Sequence, residues 1–209
     1  MKKAMIMSAA VGAALLATGM AQAQEAEGPW MVRARAIGIL PANQSDASAA
    51  LPADAVTLNN IVAPEVDFTY FFTKNIAAEL ILTYPQQHDV SVNGLGQIGT
   101  VKHLPPTLTL QYHFLPDGQY RPYVGAGINY TKFSSVSLNA AGTPLYLDNS
   151  STGGALQAGM DIKLSGNMYL NLDVKYIWIG TDVNTAAGAK VTHLNINPWV
   201  PGIGLGWRF

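Results

Sequence analysis

Residues 168–179 read Met-Tyr-Leu-Asn-Leu-Asp-Val-Lys-Tyr-Ile-Trp-Ile, and their polar and apolar side chains alternate. Asn171, Asp173 and Lys175 share one parity; Leu170, Leu172, Val174, Tyr176 and Trp178 share the other. A period of two places the two sets on opposite faces of a β-strand. Eight alternating segments are legible, at approximately 30–40, 60–72, 76–85, 103–114, 121–133, 154–164, 168–179 and 191–209. Their connectors alternate in length. Thr73-Lys74-Asn75, Leu115 to Tyr120 and Ser165-Gly166-Asn167 are short, whereas 41–59, 86–102, 134–153 and 180–190 are long, rich in Gly, Ala, Ser, Asn and Asp, and read as loops.

Which face meets water is decided by composition. Charged residues make up 12% of the chain, about half the usual soluble share of roughly 25%. No stretch after residue 23 approaches 18 consecutive apolar residues, so no helix is expected to cross a membrane. A closed β-barrel is the remaining way to live in a bilayer. The pattern therefore predicts an all-β fold: an eight-stranded antiparallel transmembrane β-barrel with short periplasmic turns and longer extracellular loops.

A soluble eight-stranded barrel of the lipocalin kind would also alternate, with its charged face outside. Three features argue against it. Gly125, Gly127, Gly159, Gly202, Gly204 and Gly206 lie on the charged parity, which suits a crowded small-barrel interior. Trp30, Phe72, Tyr84, Phe114, Trp178, Trp207 and Phe209 sit near segment ends on the apolar parity, where interfacial girdles lie. Finally, the inward charges balance, as enclosed charges must: Arg33, Arg35, Lys163, Lys175 and Arg208 against Glu65, Asp67, Glu79, Asp161 and Asp173.

Lys2 and Lys3, the apolar run from Ala4 to roughly Ala17, and Ala21-Gln22-Ala23 have the organisation of a bacterial secretory signal peptide cleaved before Gln24. Residues 1–23 are assigned to that leader and 24–209 to a single outer-membrane barrel domain. Cysteine is absent, so hydrogen bonds and packing must hold the exported domain. With 12 Lys and Arg, two of them in the leader, against 13 Asp and Glu, there is no basic footprint for nucleic acid.

The chain ends Asn197-Pro198-Trp199-Val200-Pro201-Gly202-Ile203-Gly204-Leu205-Gly206-Trp207-Arg208-Phe209. Its alternating aromatics and terminal Phe look like the signal by which outer-membrane barrels are recognised for assembly. Lys102-His103-Leu104-Pro105-Pro106-Thr107-Leu108 and Arg121-Pro122-Tyr123-Val124-Gly125-Ala126-Gly127-Ile128-Asn129-Tyr130-Thr131 narrow the match. With them, essentially the whole mature chain resembles the outer membrane protein W (OmpW) family, which includes alkane-uptake proteins of the AlkL type. The resemblance implies a porin-like barrel of the Gram-negative outer membrane with a hydrophobic interior passage and no cofactor. It also implies outer-membrane lipids, small hydrophobic solutes and, through Phe209, the barrel-assembly machinery as partners. In better-known members an apolar constriction pairs an inward aliphatic side chain on the third strand with an inward Trp on the seventh. These positions fall on Ile81 and Lys175 here, so a cation replaces the aromatic half.

The inward parity is sorted vertically. Arg33, Arg35, Glu65, Asp67, Glu79, Asp161, Lys163, Asp173 and Lys175 fall toward the periplasmic side and are expected to form an ion-pair plug. Ile37, Ile39, Ile61, Ile81, Phe133, Ile177 and Ile179 fall above them and are expected to form a hydrophobic cup open to the outside. A solute in the cup would meet charges whose desolvation opposes descent, leaving a sideways exit into the bilayer. Pro64, Pro105 and Pro106, each lacking a ladder donor, are candidates for that lateral opening. The expected function is thus passive uptake of small hydrophobic molecules. The alternative is a filled barrel that displays its extracellular loops as a structural or receptor-like surface, without transport.

Other signals carry less. Gly94-Leu95-Gly96-Gln97-Ile98-Gly99 matches a dinucleotide-binding spacing but runs into Pro105-Pro106 instead of a helix. His88, His103, His113 and His193 show no ligand-like spacing, although His88, His103 and His193 converge toward the extracellular rim; no metal site is expected. No Ser–His–acid grouping is evident, and no enzyme activity is expected.

Overall fold

The computed structural model describes residues 27–49 and 51–209; the expected signal peptide, 1–23, lies outside them. In chain order the strands are β1 (Trp30–Ile39), β2 (Gln44–Ser45), β3 (Val56–Leu58), β4 (Ile61–Phe71), β5 (Ile76–Thr83), β6 (Gln86–Val92), β7 (Gly96–Leu104), β8 (Thr107–His113), β9 (Tyr120–Ala140), β10 (Thr143–Leu147), β11 (Ser150–Ser165), β12 (Met168–Ile177), β13 (Gly180–Thr185), β14 (Lys190–Asn195) and β15 (Trp199–Arg208). Eight of them close a membrane barrel in the order β1-β4-β5-β8-β9-β11-β12-β15, every pair antiparallel. The first and last strands meet, with Trp30 and Phe209 exchanging backbone hydrogen bonds of 3.0 and 2.8 Å. Closure of this kind leaves no edge strand in lipid, where an unpaired amide would go unsatisfied.

The alternation settles which face is which. Outward Leu110 and Ile128 are 60% and 65% exposed, whereas inward Arg33, Asp67 and Glu79 are fully buried. A soluble barrel would invert that assignment. Glycine makes room for the crowded interior: a Cβ on Gly159 would stand 2.4 Å from the Tyr123 ring.

The four long connectors are not open loops. Strands β6 and β7 occupy 86–104, β9 and β11 extend through most of 134–153 around β10, β13 fills much of 180–190, and 41–59 contributes β2 and β3. These extracellular connectors are built largely of strand because the alternation continues past the membrane: His88, Val90 and Val92 are buried while Gln87, Asp89 and Ser91 are not. The Gly94–Gly99 segment is likewise a turn entering β7. These strands form an extracellular sheet in the order β2-β14-β13-β10-β9-β7-β6-β3. Its two edges are latched by a side chain. Asn43, at φ 56°, accepts from the Leu58 amide through Oδ1 (2.8 Å) and donates to the Leu58 carbonyl (3.1 Å). Asn tolerates this left-handed conformation better than most residues.

Candidate functional site

The lower interior is solid with charge. Arg33 donates to both oxygens of Asp161 (3.0 and 2.6 Å), to Glu79 (2.9 Å) and to Thr69 (2.6 Å). The Arg35 guanidinium lies 2.9 Å from Glu65, 2.5 Å from Asp67 and 3.4 Å from Asp173. Lys175 Nζ contacts Glu65 at 2.8 Å and Asp173 at 2.6 Å. This belt holds three cations against five carboxylates, so neutral donors supply the remainder. Gln111 and Gln157 donate to Glu79, both at 2.7 Å, and Tyr123 donates to Asp173 at 2.8 Å.

The expected five-against-five balance is corrected on one point of geometry. Lys163 and Arg208 stand at the periplasmic mouth, outside the belt. There they join Arg121, which the parity reading left out, around Glu27. Tyr169 adds a hydroxyl donor to Glu27 at 2.6 Å. Burial alone would raise the Glu27 carboxyl, but hydrogen bonds from Arg121, Lys163 and Tyr169 hold it down at about 2. Glu27 precedes the first alternating segment, which is why strand parity gave no signal for it. The space remaining at this end is about 10 Å³, room for roughly one water.

Above the belt the interior turns apolar. Ile37, Ile39, Phe133, Ile177 and Ile179 belong to one buried cluster, and Ile61 packs against it. Ile81 is buried but outside that cluster, opposite Asp67 on one side and Thr107 on the other. None of these seven lines the open space. That space lies one storey higher, as a cavity of about 300 Å³ between walls supplied by the extracellular sheet, among them Val56, Leu58, Val90, Val92, Leu145, Val183, Leu194 and Ile196. Five of the expected cup residues are therefore the packed floor beneath the cavity, and most of the cavity walls come from segments read as loops, with Leu194 and Ile196 added by the last alternating segment. The missed signal was short-range alternation such as Val56-Thr57-Leu58 and Val90-Ser91-Val92.

Three buried polar side chains on β6 and β7 interrupt this greasy interior. Gln86 and His103 face each other in register, and the His88 and His103 rings stack with centroids 4.8 Å apart. Burial holds both imidazoles below their ordinary range, His103 at about 3. His193 does not join them. It lies on β14 with Nδ1 2.5 Å from Asp182.

The barrel wall is broken beside these residues. Pairing of β4 with β5 ends at Glu65–Thr83, and on that side the next pair is Leu58–Val90, between β3 and β6. Pairing of β5 with β8 ends at Ile81–Thr107 and resumes only at Gln86–His103, between β6 and β7. Tyr84 and Pro85 thus belong to no strand pair. Pro64 flanks this stretch on β4, and Pro105 and Pro106 flank it between β7 and β8. Across the wider gap, Asn59 bonds to the backbone of Asp89 and to His88 Nδ1.

Comparison with known proteins places this architecture. Residues 26–209 match the model of the OmpW family. Outer membrane protein W of Vibrio cholerae is 38% identical over 88% of this chain and 89% of its own length. A Pseudomonas aeruginosa protein named for a dibenzothiophene metabolism operon is 26% identical over 68% of this chain and 69% of its own. The crystal structure of the outer membrane protein OprG from Pseudomonas aeruginosa superposes with a TM-score of 0.76 at 27% identity, covering 90% of this chain and 99% of that one.

Proposed function

Since the chain belongs to the OmpW family of non-enzymatic barrels of the bacterial outer membrane, we propose that it takes up small hydrophobic molecules passively and releases them sideways into the membrane. The observation that carries this reading is the apolar cavity of about 300 Å³ standing above a filled ionic belt. Its volume is at the lower end of the roughly 300–1,000 Å³ typical of small-molecule sites. A solute enters from the outside, exchanges water for apolar walls, and is stopped by Ile37, Ile39, Ile177, Ile179 and Phe133 above the plug of Arg33, Arg35, Glu65, Asp67, Glu79, Asp161, Asp173 and Lys175. Descending further would separate buried ion pairs, at several kcal/mol each.

The lateral route is the unpaired stretch at Tyr84–Pro85, flanked by Pro64, Pro105 and Pro106. Those prolines have no amide hydrogen with which to reseal the wall. A relative named for a dibenzothiophene metabolism operon is consistent with aromatic cargo. Phe209, exposed at the periplasmic end beside Trp30, is the natural contact for the assembly machinery.

The test is hydrophobic-substrate uptake by cells producing Leu145→Asp or Val183→Trp at matched barrel abundance. A carboxylate or an indole in the cavity should lower uptake severalfold. Uptake equal to the parent in both variants rules out the cavity as the capture site.

A further inference from the structure

Gln86, His88 and His103 are each about 99% buried or more, yet both amide atoms of Gln86, Nε2 of His88 and Nδ1 of His103 make no hydrogen bond within the protein. An unpaired buried polar atom costs roughly 1–3 kcal/mol, so four of them together call for a partner. The His88 tautomer follows from its one bond. Nδ1 lies 2.8 Å from the Asn59 carbonyl oxygen, which can only accept. Nδ1 therefore carries the proton, and Nε2 presents a bare lone pair. Gln86 offers a donor and an acceptor beside it.

These three side chains do not themselves line the cavity; they are buried between it and the break in the wall. His88 pairs in register with Val101 and is two residues below Val90, and both valines line the cavity. Gln86 directly follows Pro85 at the break in the wall. Among the described residues no free cation shares the inward face of β6 and β7 to neutralise an anion: Lys102 lies on the outward parity opposite Gln87, and Lys175 and Arg35 are committed to carboxylates below. The imidazoles themselves are kept neutral by burial.

We propose that Gln86, His88 and His103 form a head-group site for neutral amphiphiles. The ligand class is a medium-length apolar chain ending in a hydroxyl or primary or secondary amide. The chain occupies the apolar cavity, the head N–H or O–H donates to His88 Nε2, and the head oxygen accepts from the Gln86 amide. This rests on the reading of the cavity as the capture site. It adds that cargo is selected by its head as well as by its hydrophobicity.

The experiment uses the barrel in lipid nanodiscs with 15N-labelled histidine, titrated with 1-decanol, n-decane or decanoate, with empty nanodiscs subtracted. Decanol should bind about tenfold more tightly than decane, as roughly 1.4 kcal/mol of hydrogen bonding implies, and should shift the His88 Nε2 resonance. Gln86→Leu should reduce that preference to about twofold or less while decane binding is retained. Equal binding of decanol and decane with no imidazole shift overturns the head-group site but leaves the cavity reading intact. Tighter binding of decanoate than of decanol overturns its neutral character. Failure of all three to bind overturns the cavity reading and the head-group site together. The imidazole shift is read on the parent protein, so a Gln86 variant that does not fold leaves the test decisive.

Discussion

Replacing Lys175 with Met removes one of three cations from a belt of five carboxylates while keeping a side chain of similar length. The ammonium contacts Glu65 Oε1 at 2.8 Å and Asp173 Oδ1 at 2.6 Å and is almost fully buried. Removing one partner of a buried ion pair typically costs about 3–5 kcal/mol, because the other charge stays behind without compensation. Arg35 also reaches both carboxylates, Glu65 at 2.9 Å and Asp173 at 3.4 Å. The loss should therefore lie near about 3 kcal/mol, the lower end of that range. The assay is reversible urea unfolding in lipid vesicles, followed by tryptophan fluorescence and by the electrophoretic shift of the folded barrel. Lys175→Met should lower the midpoint without altering the slope. Lys175→Met combined with Asp173→Asn should recover part of the loss, with a coupling of about 1–3 kcal/mol. An unchanged midpoint in the single variant, at unchanged slope, would refute the claim that Lys175 is an essential counter-charge.

Two further outcomes test other parts of the interior. Gly159→Val would drive a side chain into the Tyr123 ring, 2.4 Å from the position of its Cβ; overpacking of this kind should cost about 1–3 kcal/mol, read as a lower fraction of folded barrel, and an unchanged fraction counts against a filled interior. Glu27 has its carboxyl depressed from 4.5 to about 2 in the folded chain. Its stabilising effect is present in full above about pH 4.5 and is lost as the pH falls through 2, and amounts to at most about 3 kcal/mol, less solvent screening at the partly exposed Lys163. Glu27→Gln should flatten the acid limb of stability against pH in that window, and an identical limb in the variant would remove Glu27 from the account.

The membrane barrel was legible because its signal is local. Each strand carries its own parity, and Leu110 or Asp67 declares its face without reference to any distant residue. Which inward charges meet could not be read that way. Lys163 and Asp161 share a parity on β11, yet one reaches out to Glu27 at the mouth and the other is locked under Arg33, because height along the strand decides the partner. Arg121 shares the inward parity of Tyr123 at the very start of its segment, where height places it at the mouth with Glu27 and not among the belt charges. The cavity was missed for a compositional reason. Gln87, Asp89 and Ser91 gave 86–102 the look of a loop, although they are the outward half of an alternation whose inward half, His88, Val90 and Val92, is buried.

For the proposed uptake, the direction of travel follows from comparing three environments for one chain of methylenes. Moving a methylene from water into an apolar surrounding is worth about 0.8 kcal/mol, and cavity and bilayer provide nearly the same surrounding. A solute in the cavity is therefore held strongly against return to water but weakly against transfer to lipid. The remaining path, downward, requires apolar surface to displace groups such as Arg33 and Glu79, whose contacts are made wholly inside the barrel. Of the three, only the sideways move leaves the methylenes dry and the ion pairs intact. In the proposed uptake the belt acts by closing a direction. On the proposed route, the unpaired polar atoms of Gln86, His88 and His103 stand beside the unpaired stretch at Tyr84–Pro85, where they would hold back a solute whose head can bond to them.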